Sequence, residues 1–101
     1  MQLQVHSIHF DADVKLVNFI KDRISKLDLY YDNIISGEVF LRLDKSDVRD
    51  NKIAEIKINI PGKEIFAKKQ CKSFEEATDT TIEAIRRQIQ KFKGKSKLRL
   101  A

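Results

Sequence analysis

The segment 54–60 alternates apolar with charged or polar residues as clearly as any part of the chain. A period of two is the pattern of a strand with one buried face, and the apolar positions are Ala54, Ile56, Ile58 and Ile60. Pro61-Gly62 follows as a turn signal, after which the alternation resumes at Ile65 and continues to about Gln70. We therefore predict an antiparallel hairpin whose apolar face must be covered by the rest of the chain.

The segment 73–95 predicts one covering element, because its apolar residues recur at the spacings of one helical face. Ser73 is a good N-cap, and Glu76 three residues later completes a capping-box pattern. The apolar stripe comprises Phe74, Ala77, Thr78, Ile82, Ile85, Ile89 and Phe92. Acidic residues occupy the first half of this predicted helix and basic residues the second. That order by itself suits the helix dipole at both ends.

Two more strands are predicted in the first half of the chain. Residues 2–10 alternate, with a change of phase near Ser7 that a bulge or bend explains. Residues 38–43 alternate again, with Val39, Leu41 and Leu43 expected to face inward. A turn is predicted just before this strand, because residues that favour turns occur there, namely Asp32, Asn33, Ser36 and Gly37.

Another helix is predicted between these two strands, and it is the first helix in chain order. Asp13 is a good N-cap for a helix that begins at Val14 and ends at Tyr30 or Tyr31. Its apolar stripe comprises Leu16, Ile20, Ile24, Leu27 and Tyr31. The element order is therefore β-α-β-β-β-α, which places the chain in the α+β class.

Four strands with one apolar face each, and two amphipathic helices, bury their apolar residues when both helices pack on the same face of the sheet. The opposite face of the sheet is then exposed to solvent. It carries His6, Phe40, Arg42, Lys57 and Lys68. We predict one domain over residues 1–95, followed by a basic and mobile C-terminal tail over residues 96–101.

Charge is unevenly placed along the chain. The formal net charge is +5, and residues 84–101 carry seven Lys and Arg and no acid, a net of +7. A block of one sign favours an anionic partner, most often nucleic acid. The alternative is a basic tail without a specific target.

Nothing in the sequence argues for catalysis, a metal, another cofactor or a small-molecule substrate. His6 and His9 are three apart on a strand, a spacing that points them to opposite faces. The single cysteine, Cys71, excludes an internal disulfide and fits a reducing compartment. We expect a cytoplasmic protein, because the first residues resemble a strand and not a signal peptide, and no stretch has the length to cross a membrane.

The basic residues predict a surface matched to phosphate. Arg87, Lys91 and Lys95 are four apart and lie along one edge of the second helix. The first helix contributes Lys15, Lys21, Arg23 and Lys26. If the helices pack side by side, both sets share one surface that contacts RNA mainly through its backbone. Tyr30 and Tyr31 are the exceptions that could stack on bases, although at least one of them is expected to seal the core.

Two segments resemble the family of short ribosome hibernation promoting factors and ribosome-associated inhibitors. DRISKLDLYYDNI, residues 22–34, is similar to the family's first helix and its exit. AKKQCKSFEEATDTTIEAIRRQIQKFKGK, residues 67–95, is similar to its last strand and last helix. The opening MQLQV and the element order also agree, so the resemblance covers nearly the whole chain.

The resemblance implies a fold similar to double-stranded RNA-binding domains. It also implies binding in the decoding region of the small ribosomal subunit, where messenger and transfer RNA would otherwise sit, with inhibition of translation in idle or starved cells. By position, Arg23 and Lys26 match the motif of the first helix, and Arg87, Gln88 and Lys91 match that of the second. Charge alone adds Arg86, Lys93 and Lys95 to this rRNA-binding set.

Two other functions compete with ribosome hibernation at the level of the sequence. One is a free-standing protein that binds double-stranded RNA outside the ribosome. The other is a non-catalytic protein-interaction module whose basic end docks on an acidic protein. In each case we expect a protein that is monomeric when free.

Overall fold

The computed structural model describes residues 1–46 and 49–100, with side chains described through Lys93 of the last helix. The predicted order β-α-β-β-β-α is confirmed. The elements are β1 (Gln2–Ser7), α1 (Val14–Ser25), a 3-10 helix (Lys26–Leu29), β2 (Ser36–Leu43), β3 (Lys52–Ile60), β4 (Lys63–Cys71) and α2 (Phe74–Leu100).

The four strands form one mixed sheet in the order β1-β2-β3-β4. β1 and β2 are parallel because α1 crosses over between them, whereas β2, β3 and β4 pair antiparallel. One row of opposed residues runs across the whole sheet on its apolar face, from Val5 through Val39 and Ile56 to Ala67. The strand alternation in the sequence thus becomes one continuous apolar surface.

Both helices cover that apolar surface, as predicted. Ile20 and Ile24 of α1 and Ile85 and Ile89 of α2 are fully buried in the same cluster as the inward residues of the strands. Burying an isoleucine side chain contributes about 1.5–3 kcal/mol relative to leaving it exposed. The shared core therefore fixes how the two helices lie on the sheet and which of their residues face away from it.

Local capping chemistry sets where both helices begin. The Asp13 carboxylate accepts a hydrogen bond from the Lys15 main-chain N–H at 3.0 Å, so the predicted cap of α1 is confirmed. The Ser73 hydroxyl oxygen accepts from the Glu76 N–H at 3.1 Å, which confirms the cap of α2. Each bond satisfies one of the main-chain donors that a helix N-terminus leaves without a partner.

The prediction that the first helix continues to Tyr30 or Tyr31 is wrong. The α-helix stops at Ser25, and a 3-10 helix continues from Lys26 to Leu29. The carbonyl of Leu27 accepts from the N–H groups of both Tyr30 and Tyr31, at 3.0 and 3.2 Å. The tighter winding keeps Leu27 buried while Leu29 is 84% exposed.

Two details of the strands differ from the sequence expectation. Gly37, predicted as a turn residue, lies inside β2, where a Cβ would come within 3.0 Å of Ile58 Cδ1 and 3.2 Å of Leu3 Cδ1. Leu43, predicted to face inward, is 44% exposed at the end of the strand. The predicted turn at Gly62 is confirmed, with a φ of 77°.

The phase change near Ser7 comes from a bend. β1 ends at Ser7, and His9 adopts a φ of 64°, a left-handed conformation that few residues other than glycine take. A mobile tail was predicted over residues 96–101. The side chains of these residues lie outside the described part of the chain, so the mobile tail stays a prediction.

Candidate nucleic-acid interface

A cleft runs between α1 with its 3-10 extension and α2, on the side of the molecule away from the sheet. Its volume is about 260 Å³. Leu27 and Ile82 contribute the apolar part of its wall, and the remaining lining side chains are polar or charged. These are Arg23, Lys26, Tyr30, Asp79, Glu83 and Arg86.

Helical periodicity explains why these residues meet. On α2, Asp79, Ile82, Glu83 and Arg86 follow one another at spacings of three, one and three, so they share the flank that faces α1. On α1 and its extension, Arg23, Lys26, Leu27 and Tyr30 have the same spacings. The cleft is therefore a direct product of two amphipathic helices packed side by side.

Three loose ion pairs surround the cleft. Arg23 Nε lies 3.9 Å from Asp79 Oδ1, and Arg86 Nη1 lies 3.7 Å from Glu83 Oε2. Lys26 Nζ lies 3.8 Å from Asp22 Oδ2. All six groups are substantially exposed to solvent, where such pairs contribute about 0–1 kcal/mol each. They orient the side chains without holding them tightly.

The two tyrosines at the exit of α1 have different surroundings. Tyr31 is half-buried and packs against the core, which confirms that one of the pair seals it. Tyr30 is 39% exposed, and Arg86 Cζ lies over its ring at 4.3 Å from the centroid. Lys93 Nζ donates to the Tyr30 carbonyl at 2.6 Å and lies 5.8 Å from the Tyr31 ring centroid. Arg86 and Lys93 in the basic half of α2 thus contact the residues that follow the first helix and its 3-10 extension.

The structure separates the predicted rRNA-binding residues into groups. Arg23, Lys26 and Arg86 line the cleft, and Lys93 lies at its end beside the tyrosines. The Lys95 side chain lies outside the described residues.

Arg87 and Lys91 are exposed on α2 and do not line the cleft. Successive residues on a helix are about 100° apart, so Arg87 points away from α1 when its neighbour Arg86 points toward it. Within the part of the chain that the structure describes, neither Arg87 nor Lys91 forms an ion pair. Their charges are uncompensated and available to an anionic partner.

Gln88 lies on another side of α2. Its Nε2 donates to the main-chain carbonyl of Phe66 in β4 at 2.9 Å. The residue therefore connects α2 to the edge of the sheet.

Three cleft residues were not assigned a binding role from the sequence. Asp79 and Glu83 were explained by the helix dipole, and Tyr30 was only a possible stacking residue. The signal that could have found them is the shared spacing of Asp79, Glu83 and Arg86 on one flank, read together with Arg23 and Lys26 on the facing helix.

The described residues offer little support for other kinds of site. Among them, no group of three His, Cys, Asp or Glu side chains is arranged to hold a metal ion. Neither described helix combines the length and the apolar character needed to cross a membrane.

Comparison with known protein families gives one match over nearly the full chain. A profile of the family described as Sigma 54 modulation protein / S30EA ribosomal protein matches residues 3–97. This range includes β1 from its second residue, the other three strands, α1 and most of α2.

Individual proteins give the same result. The chain is 27% identical over 97 residues to a ribosome hibernation promoting factor of Klebsiella oxytoca, covering 96% of this chain and 98% of that one. It is 32% identical over 78 residues to a ribosome hibernation promotion factor of Deinococcus radiodurans, covering 74% of this chain and 40% of that longer protein.

A solved structure shares the fold. A ribosomal subunit interface protein from Coxiella burnetii superimposes with a TM-score of 0.83 over 93% of this chain and 99% of its own, at 18% identity. The α+β architecture with two helices on one face of a four-stranded sheet is common to both.

Proposed function

The chain belongs to the Sigma 54 modulation protein / S30EA ribosomal protein family, and from this premise we propose that it is a ribosome hibernation factor. Membership confirms the resemblance carried by residues 22–34 and 67–95. Relatives in two organisms are named for hibernation of ribosomes. The proposed activity is binding to ribosomes and inhibition of translation in idle or starved cells.

The proposed partner is the ribosomal RNA of the small subunit in the decoding region. Occupancy of this region blocks messenger and transfer RNA, so inhibition requires no chemical step. The observation that carries the proposal is that Arg87 and Lys91, exposed on the outer surface of α2, have no carboxylate in ion-pair range among the described residues. On the opposite sheet face, Arg42 and Lys57 lie beside carboxylates, at 3.1 Å from Glu55 and 3.9 Å from Glu64.

The rRNA-binding residues divide by role. Arg87 and Lys91 neutralise backbone phosphates, because they are exposed and have no counter-charge among the described residues. Arg23, Lys26, Arg86 and Lys93 form the part of the surface between the helices. Lys95 extends the basic edge on its spacing alone. Gln88, which the resemblance assigns to RNA contact, also donates a hydrogen bond to the Phe66 carbonyl of β4.

The same proposal covers the remaining properties of the protein. It acts without a catalytic site, cofactor or small-molecule substrate, it is monomeric when free, and it works in the cytoplasm. A free-standing double-stranded RNA-binding protein and a protein-interaction module remain the competing functions, and ribosome fractionation distinguishes them from this one.

Sedimentation of extracts from growing and stationary cells tests the proposal. We expect the protein to travel with small subunits and whole ribosomes in stationary cells, and to be displaced from purified small subunits by messenger RNA with initiator transfer RNA. A protein that remains at the top of the gradient under both conditions would contradict ribosome binding. Co-sedimentation without displacement would place its site outside the decoding region.

A further inference from the structure

The cleft between the helices differs from an ordinary phosphate site in its charge. Its three cations, Arg23, Lys26 and Arg86, are matched by three carboxylates. The local formal charge is therefore zero, whereas Arg87 and Lys91 on the outer surface of α2 have no acidic neighbour in ion-pair range among the described residues. A phosphate gains more from the outer surface than from the balanced cleft.

The charged groups of the cleft still have hydrogen-bonding capacity. Their ion-pair distances of 3.7–3.9 Å exceed the hydrogen-bond range of about 2.7–3.2 Å. Asp79 and Glu83 can each accept hydrogen bonds from a ligand, and the two guanidinium groups can each donate. A neutral planar ligand with both donors and acceptors on its edge fits this combination.

An aromatic surface adjoins these groups. Tyr30 is partly exposed, and the guanidinium of Arg86 lies over its ring. Aromatic rings and arginine planes are the surfaces on which proteins stack unpaired RNA bases. The partly buried Ile82 side chain adds apolar surface to the wall beside them, with Leu27 buried behind it.

We propose that the cleft binds one unpaired nucleobase of the RNA, stacked on the Arg86–Tyr30 pair. The Asp79 and Glu83 carboxylates accept hydrogen bonds from the exocyclic amino group of that base, as Asp and Glu do with the amino group of cytosine. The inference rests on the proposed function for the identity of the RNA. It adds base recognition to a surface otherwise expected to contact only the backbone.

Replacing a cleft carboxylate by its amide distinguishes phosphate contact from base contact, because the affinity for RNA changes in opposite directions. If the cleft contacts only phosphate, Asp79→Asn and Glu83→Gln remove repulsion and raise affinity. If the carboxylates bind a base, the same variants lower affinity despite the added net positive charge. The matched control is Glu76→Gln, an exposed acid of α2 that does not line the cleft, and it should bind equally or slightly more tightly.

The first measurement is the dissociation constant of the full chain for purified small ribosomal subunits. We expect Asp79→Asn and Glu83→Gln to weaken binding, and Tyr30→Leu to weaken it by about 5- to 150-fold. Tyr30→Phe, which retains the ring, should bind nearly as the parent does. Tighter binding by both acid variants, or an unaffected Tyr30→Leu, would overturn base binding in the cleft. Melting curves of each variant check that it is folded.

The second measurement uses single-stranded oligo(C) and oligo(U) RNA of equal length as probes. Cytosine has an exocyclic amino group and uracil has none, so the parent protein should prefer oligo(C). Asp79→Asn combined with Glu83→Gln should abolish the preference. Equal affinity of the parent for both probes would contradict the proposed base contact even if the protein binds ribosomes. A clear preference for oligo(C) without ribosome binding would instead contradict the proposed function alone.

Discussion

Gln88 connects α2 to the edge of the sheet through a single hydrogen bond. Its Nε2 donates to the carbonyl of Phe66 at 2.9 Å, and β4, which contains Phe66, is the last strand in the order of the sheet that the structure describes. Main-chain groups at such an edge have no strand partner, so Gln88 satisfies one of them. The resemblance predicts an RNA contact for this residue, and its hydrogen bond to Phe66 indicates a positioning role as well.

We predict that Gln88→Ala lowers the free energy of unfolding by about 0.5–1.5 kcal/mol, the usual net worth of one hydrogen bond. Urea denaturation followed by circular dichroism measures the change. Gln90→Ala is the control, because Gln90 is exposed on the same helix. Unchanged stability of Gln88→Ala together with weaker ribosome binding would assign the residue to RNA contact alone.

At the scale of elements, the helix starts were predictable and the end of α1 was not. Asp13 and Ser73 cap through bonds to main-chain groups two or three residues away, so the local sequence contains all the needed information. The switch to a 3-10 helix after Ser25 occurs where Leu27 packs in the core. That packing is decided by distant residues, and the apolar spacing of 24, 27 and 31 fits an α-helix equally well.

The cleft was not predictable for the same reason. Sequence spacing places Asp79, Glu83 and Arg86 on one flank of α2, but it does not say that this flank faces α1. The four-residue spacing of Arg87, Lys91 and Lys95 distinguishes Arg87 from Arg86 in the sequence, but it does not say which of the two arginines faces α1. The packing of α1 beside this flank of α2 places Arg86 in the cleft and leaves Arg87 facing outward.

Capping of α2 yields a stability prediction. Ser73→Ala removes the acceptor of the Glu76 N–H and should lower the free energy of unfolding by about 0.5–2 kcal/mol. Thermal unfolding provides the measurement. Ser25→Ala serves as the matched control, because Ser25 is exposed and its hydroxyl donates within its own helix to the Asp22 carbonyl. Equal stability of the Ser73→Ala protein and the parent would show that other contacts fix the start of α2.

At the scale of the whole molecule, the chain presents two different charged faces. On the open sheet face, Arg42 lies 3.1 Å from Glu55 and Lys57 lies 3.9 Å from Glu64, whereas Lys68 has no ion pair among the described residues. The helix face combines a charge-balanced cleft with the uncompensated Arg87 and Lys91. The sequence placed a net +7 in residues 84–101, but it could not show this division, because the division depends on which flank of α2 meets α1.

The salt dependence of binding to purified small ribosomal subunits tests most directly whether the helix face binds RNA. Each phosphate contact adds about 0.7–0.9 to the slope of log affinity against log salt concentration. The double variant Arg87→Ala/Lys91→Ala should therefore bind more weakly and reduce the slope by roughly 1.5. The control Lys57→Ala/Lys68→Ala removes two charges from the open sheet face and should keep the parent slope. An unchanged slope for the helix variant with a reduced slope for the sheet variant would contradict the account and place the RNA on the sheet.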